Sequence, residues 1–547
     1  MKALLLSAFW LLGLIGIHPL DSILLNRRVT MEEAVITKPQ GGNGGWSPKT
    51  KFGAFLDRYF KISERGSSIV RELVGGLIIF LAMFYILPLN SNMLSGDWAN
   101  ILGVTTGNVR VTLDATGNVV LREILIYGDT WATVDQVRAG IFAATAISAA
   151  VTTIVMGIYG KLPVGLASGL GINSLIAYTV LLGMGFNLAQ AMCIVLVDGL
   201  LFLIISLTPL RGWIVRNIPK SLKFAISAGI GFFIAFIGFQ NIGIIVPNTA
   251  TAVGFGDFTS PSVIMGIVGV IIVLVLSSLP QNKKSTFWIS KFAVIISIVV
   301  MGIVCASMGQ AGVAGMPKFY DESYHISQIG NISKIFGCCF MGFDAFLNPM
   351  AIAFTFALLF VDFFDTAGTL VGVEAGAGMV DENGNITVND RPAMITDAAG
   401  TCFGAICGTT TVTSFVESTT GVAAGARTGL AAVTTGLLFA LSLAIYPALA
   451  MFSSSSVTGL ALVYVGVCMF KNLERLEWKD WIAVGSGFFT VLVMTISYSI
   501  SDGIAWGFIT YTIMTLAAGK FKKSDITVAC CSVAFLAIYI MKAVLKI

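Results

Sequence analysis

Two aspartates three positions apart, Asp362 and Asp365, stand in the apolar stretch FTFALLFVDFFDTAGT. That spacing puts both on one face of a helix, one turn apart. A third acid, Glu417, belongs to the polar, β-branched run TTTVTSFVESTTG at 409–421, and Asn173 to the run GLASGLGINS at 165–174. Ionised acids are costly in apolar surroundings, and those kept there usually face a polar pathway. A buried carboxyl group can also exchange a proton near neutral pH, so the same residues can bind a ligand and couple it to a proton.

The elements that must position these groups are membrane helices. Of the 547 residues 56% are hydrophobic and 11% charged, whereas soluble domains carry about a quarter charged residues. Apolar runs recur from Leu73 to Ala543, each long enough to cross roughly 30 Å of hydrocarbon as a helix. The net charge of +4 comes from basic residues spread over short loops, a pattern that sets topology and does not suggest nucleic acid. The nine cysteines show no disulfide or metal-ligand spacing, and two histidines are too few for a histidine-built metal site. No metal and no cofactor is expected.

Residues 1–25 read as an apolar leader or signal-like segment. Residues 26–72, with nine Lys or Arg against five acids, are expected to be cytoplasmic. Spans are predicted near 73–89, 139–160, 164–183, 185–207, 222–240, 261–279 and 286–308, and again near 347–371, 393–410, 411–426, 429–449, 455–470, 481–499 and 503–519. The first repeat is thus 73–308, with an external loop at 90–138. A second external loop covers 309–346, the second repeat 347–519, and an apolar C-terminal segment 520–547 whose last stretch either spans or lies at the surface. Alternation around Ala115-Thr-Gly-Asn118 predicts a β-hairpin in the first external loop. An odd number of spans per half makes the second half enter from the opposite face, the geometry of an inverted repeat.

The glycine- and serine-rich run at 165–174 and the threonine-rich run at 409–421 fall in the third span of each half, so both read as broken spans. Unwound backbone is tolerated at membrane depth only where it lines a cavity or is buried in protein, and paired interruptions point to a transport site. The alternative for such residues is close helix packing. Three carboxylates and an amide suit a planar ligand with several N–H donors and ring-nitrogen acceptors, and Phe415 offers a stacking face. A purine base is such a ligand. Glu374 is expected nearer the cytoplasmic end of its span than the site.

At LDRYFKISERGSS (56–68), GLGINSLIAYTVLLGMG (169–185), IPKSLKFAISAGIGFFIAFIG (218–238), FVDFFDTAGTLVGV (360–373) and GTTTVTSFVESTTGVAAGARTGLAAVTTGLLF (408–439) the chain resembles the AzgA-like adenine, guanine and hypoxanthine permeases. These are a purine branch of the nucleobase:cation symporters related to the nucleobase–ascorbate transporters. The resemblance implies an all-α polytopic membrane protein of about fourteen segments. They form two inverted seven-helix repeats, divided into core and gate domains, with short strands in the broken third and tenth segments. It places Gly171, Asn173, Asp362, Asp365, Phe415 and Glu417 at the substrate site, with Asp362 and Glu417 coupling the proton. Ser168 stands where these permeases usually have proline, and Phe415 where tyrosine is common. The implied partners are a purine nucleobase, a co-transported proton, the bilayer and a second copy of the chain in a homodimer.

The function expected is therefore secondary active import of adenine, guanine or hypoxanthine, with xanthine and cytokinin-like adenines as further candidates. It would run by proton symport and elevator-type movement of the core, in the plasma membrane. An anion carrier on the same inverted-repeat fold is the alternative, disfavoured because such sites present helix N-termini to the anion without fixed negative charge beside it. An enzyme is not expected, since no nucleophile, histidine base or metal cluster is evident.

Overall fold

The computed structural model describes residues 50–545 except 96–108, 114–118, 209–218, 249–250, 281–285, 287–288, 291, 320–324, 380–388, 453 and 498. The leader, most of the basic N-terminal region and the charged loops 209–218 and 281–285 lie outside the described residues.

An amphipathic helix α1 (Lys51–Phe60) leads into α2 (Ile69–Met83) and, across Phe84 and Tyr85, into α3 (Ile86–Leu94). The first span thus continues past the expected loop start at Asn90. Asn90, Ser91 and Asn92 are helical and buried. They stay inside because Asn90 Nδ2 donates to the hydroxyls of Thr145 (2.7 Å) and Thr409 (2.8 Å), partners a sequence window cannot see. The segment before α4 then folds as β1 (Val109–Leu113), β2 (Val119–Tyr127) and β3 (Thr130–Thr133), an antiparallel sheet in that order. The hairpin expected around 115–118 is formed by β1 and β2.

Helix α4 (Val134–Val155) starts at a capping box between Thr133 and Gln136 and closes with a wider π turn, Met156–Gly160. After it come β4 (Leu166–Ser168) and the short helix α5 (Leu170–Ser174), extended by a π segment to Gly183. Helix α6 (Leu188–Leu207) opens on a second capping box, Asn187 with Gln190. Next are α7 (Lys220–Ile242), the hairpin β5 (Ile245–Asn248) and β6 (Ala252–Phe255), α8 (Pro261–Ser278) and α9 (Ala293–Gln310). The second half holds α10 (Pro349–Ala377), α11 (Asp390–Cys407), β7 (Val412–Ser414), α12 (Ser418–Ala423) and α13 (Gly429–Leu441). It ends with α14 (Ser455–Phe470), α15 (Trp481–Ile496), α16 (Ile500–Ala517) and α17 (Ile526–Leu545).

Among the described residues eight helical stretches are long and apolar enough to cross a membrane: Ile69–Leu94, Val134–Gly160, Leu188–Leu207, Lys220–Ile242, Pro261–Ser278, Ala293–Gln310, Gly429–Ala448 and Ser455–Arg475. Gly171–Gly183, Pro349–Phe363, Trp481–Ile496 and Ile526–Ala537 are shorter apolar helices. The last packs along α16 in the opposite direction, joined by Thr512 to Ser532 (2.9 Å) and by Tyr539 donating to Asp502 (2.8 Å). The helices pack in two groups. In one, α13 packs on α2 and α4, and α6 on α10 and α11; in the other, α7 packs on α14 and α15, α8 on α9 and α14, and α15 on α16.

Helices approach closely where neither residue has a side chain. Gly157 and Gly429 face each other so tightly that a Cβ on Gly429 would stand 1.9 Å from the Gly157 carbonyl oxygen, and one on Gly157 2.4 Å from that of Gly429. Backbone would have to move, at a cost of about 1–3 kcal/mol as for other overpacked cores. Gly429→Val is therefore expected to lower the thermal unfolding midpoint of the detergent-purified protein. Gly330→Ala, where a Cβ meets nothing within 4 Å, should leave it in place; equal midpoints for both variants would contradict this contact.

Candidate functional site

The two broken segments meet. Strands β4 and β7 pair antiparallel, with Leu166 opposite Ser414, Ala167 opposite Thr413 and Ser168 opposite Val412, and all six residues are buried. At one end of the pair Gly169 N donates to Thr411 O, and at the other Phe415 N donates to Gly165 O, both at 3.0 Å. An unpaired peptide group at this depth would cost several kcal/mol, and side chains take what the strands leave. Thr153 Oγ1 bonds both the N–H and the carbonyl of Leu166 at 2.9 Å, and Ser418 Oγ accepts from Gly165 N at 3.0 Å. Threonine and serine are dense here because three-residue strands cannot satisfy their own backbone. Gly169 packs tightly at the crossing, where a Cβ would sit 3.0 Å from Thr413 Oγ1.

Around this crossing stand the residues singled out from the sequence. Asn173, on α5, is fully buried. Its Oδ1 accepts from Ser168 Oγ (2.9 Å) and from Thr410 Oγ1, whereas no bond to its Nδ2 is found among the described residues. Asn173 thus has two free donors and a committed acceptor, narrower than the donate-and-accept role its type allows. Gly171, two residues earlier, brings α5 against α7 of the other helical group: a Cβ there would stand 3.0 Å from Ile230 Cγ2.

Asp362 is fully buried on α10. One oxygen accepts from Thr401 Oγ1 at 3.3 Å, and Thr401 lies the same distance from the carbonyl of Val412 on β7; the other oxygen has no donor among the described residues. Asp365, one turn on, is partly exposed, as is Glu417 at the start of α12, and the two lie within electrostatic reach of each other. Glu417 Oε1 accepts a 2.7 Å bond from the Tyr85 hydroxyl. Phe415 is buried at 5% exposure between β7 and Glu417. Glu374, more than three turns past Asp362, is buried within electrostatic reach of Arg65, whose guanidinium donates to the carbonyls of Lys161 and Arg427.

The sequence reading did not pick out Tyr85, Asp397, Thr401 or Asp198. Asp397, on α11, accepts at 2.6 Å from both Thr366 of α10 and Ser414 of β7, and so pins the helix bearing Asp362 and Asp365 to the strand. Tyr85 sits at the break between α2 and α3, and no spacing rule ties it to a residue 332 positions away. For Asp198 a signal was present, because a single acid inside an apolar span is itself a functional pointer. Among the described residues no group of three or more His, Cys, Asp and Glu is arranged to hold a metal ion.

Comparison with known proteins places the chain among permeases. The chain is 32% identical over 493 residues to Adenine permease AdeQ of Escherichia coli (strain K12), covering 90% of this chain and 96% of that one. It is 34% identical over 468 residues to Guanine/hypoxanthine permease PbuG of Bacillus subtilis (strain 168), covering 86% and 96%. Among solved structures, the transmembrane domain of a cyanobacterium bicarbonate transporter, BicA, superposes with a TM-score of 0.53 at 13% identity, covering 80% of this chain and 96% of that one. That likeness is one of fold. The xanthine/uracil permeases, described as the Permease family, match residues 115–505. An integral membrane protein with a pair of broken spans crossing amid buried acids, and with permease relatives along most of its length, is a transporter: the chain belongs to the xanthine/uracil permease family.

Proposed function

We propose that this protein imports purine nucleobases, adenine, guanine or hypoxanthine, in symport with a proton. The single observation that carries the reading is the crossing of β4 and β7. It gathers an amide with free donors at Asn173, an undonated oxygen on Asp362 and a partly accessible carboxylate on Glu417. A purine presents in-plane N–H groups to carboxylates and ring nitrogens to an amide N–H, so donors and acceptors match one for one. The relatives named for adenine and for guanine and hypoxanthine support the same substrate class. Carboxylates at the site disfavour the anion-carrier alternative, and the fold shared with BicA does not carry its substrate over.

The fold is read as fourteen segments in two inverted sets of seven. The group containing α2, α4, α6, α10, α11 and α13 serves as the core, and the group containing α7, α8, α9, α14, α15 and α16 as the gate. The base sits between them, and the core moves against the gate as an elevator. The plasma membrane and a cytoplasmic N-terminal region complete the proposal.

In cells lacking their own nucleobase carriers, saturable uptake of at least one labelled purine base is expected. Nucleosides should compete poorly, because a ribose at N9 would collide with the enclosing helices. Equal uptake of adenine and adenosine would contradict the assignment.

Glu417→Gln and Asp362→Asn keep shape while removing the titratable oxygen. Each is expected to weaken binding by roughly 1.5–3 kcal/mol, about ten- to a hundredfold, as for loss of one charge-assisted hydrogen bond. Each should reduce accumulation still further. Asn173→Ala should weaken binding with less effect on pH dependence, since an amide does not titrate. Uptake against pH, normalised to the amount of protein at the cell surface, checks all three. Acid variants that reach the membrane and concentrate purine with an unchanged pH profile would overturn the coupling assignment.

A further inference from the structure

Helix α6 carries one carboxylate, Asp198, in the apolar run CIVLVDGLLFL. It is fully buried, and no hydrogen bond reaches either of its oxygens among the described residues. The next residue, Gly199, leaves no room for a side chain. A Cβ there would stand 2.9 Å from Cys402 N, Cys402 Sγ and Thr401 Cγ2, so α6 is pressed onto α11 at Thr401. That threonine donates to one oxygen of Asp362, whose other oxygen has no donor. Asp198, Asp397 and Asp365 all lie within electrostatic reach of Asp362.

Among the described residues Asp362 thus has one hydroxyl donor for its two oxygens and Asp198 none for its own. Neither takes part in an ion pair found among the described residues. Of the other titratable groups on the helices packed around α6, Cys402 lies beside both carboxylates. Asp397 and Asp365 lie within electrostatic reach of Asp362, and Cys339 and Asp344 meet α6 further along, at Cys193 and Gln190. Two ionised carboxylates here would combine loss of water with like-charge repulsion. One proton between them removes a charge and supplies a missing donor. Asp365 and Glu417 are partly exposed, whereas Asp198 and Asp362 are fully buried.

We propose that Asp198 and Asp362 hold the transported proton between them, making Asp198 a coupling residue that does not touch the base. The proposal rests on the reading of the protein as a proton-coupled base carrier. Asp198 shares the proton with Asp362, and Asp362 links it to the strand crossing through Thr401 and Val412 and to the base, which Asp362 contacts together with Asn173 and the second coupling carboxylate, Glu417.

The test uses the full chain in proteoliposomes, with Asp198→Asn and Asp198→Glu beside the wild type. Exchange of labelled for unlabelled purine needs no proton gradient, and Asp198→Asn should keep it within about threefold of wild type. Accumulation driven by one pH unit, worth about tenfold for one coupled proton, should be lost in Asp198→Asn and restored in Asp198→Glu. The infrared carbonyl band of a protonated carboxyl should be present in the wild type, change when base is added, and be missing in Asp198→Asn. Unchanged pH-driven accumulation in Asp198→Asn would overturn the proposal, as would parallel loss of exchange and accumulation that Asp198→Glu does not rescue. Should Asp198→Asn fail to fold, absence of that band from the wild type decides against the pair. A wild type that exchanges no purine would instead refute the function, leaving the infrared band to judge the carboxyl pair by itself.

Discussion

The structure depends on backbone that is unwound inside the membrane and has to find its hydrogen bonds there. Three residues of β4 and three of β7 pair with each other. Because neither strand has a second neighbour, the remaining peptide groups are met by Thr153, Ser418 and the peptide groups just beyond the strands. That one constraint explains why the region is so rich in threonine, serine and glycine. It also couples two distant parts of the chain, since among the described residues each strand finds its sheet partner in the other.

From that crossing the polar network spreads through one layer of the molecule. Asp397 holds α10 to β7, Thr401 links Asp362 to the same strand, and Ser168 and Thr410 orient Asn173. Asn90, Thr145 and Thr409 tie the first span to the loop that precedes β7. Satisfied networks of this kind at low dielectric are rigid, and removing one member leaves the others unpaired. The few polar atoms left without partners among the described residues therefore stand out. Asn173 Nδ2, one oxygen of Asp362 and both oxygens of Asp198 are where a ligand or a proton has something to gain.

Much of this was legible in the sequence, because a bilayer makes composition informative. Apolar runs give the helices, and a polar run at membrane depth marks a break, as at 165–174 and 409–421. Two acids one turn apart mark a site, as at Asp362 and Asp365. Tertiary partnership was not legible. Asn90 reads as the start of a loop until Thr145 and Thr409 are seen to hold it inside, and Tyr85 reads as an interfacial aromatic until it is found on Glu417. Asp397 carries no spacing signal of its own, and its bonds to Thr366 and Ser414 give it a structural task. The direction of the Asn173 amide also needed the structure, since which of its two ends is committed follows from Ser168 and Thr410.

The central claim is that a purine base and a proton cross together through this site. Recording charge movement on supported membranes carrying the purified wild-type protein tests it most directly, because no gradient of any other solute is involved. Adding adenine, guanine or hypoxanthine at acidic pH is predicted to drive an inward positive current that shrinks as the pH is raised, while adenosine and sulfate produce none. A current evoked by sulfate or bicarbonate and by none of the purines would contradict the account.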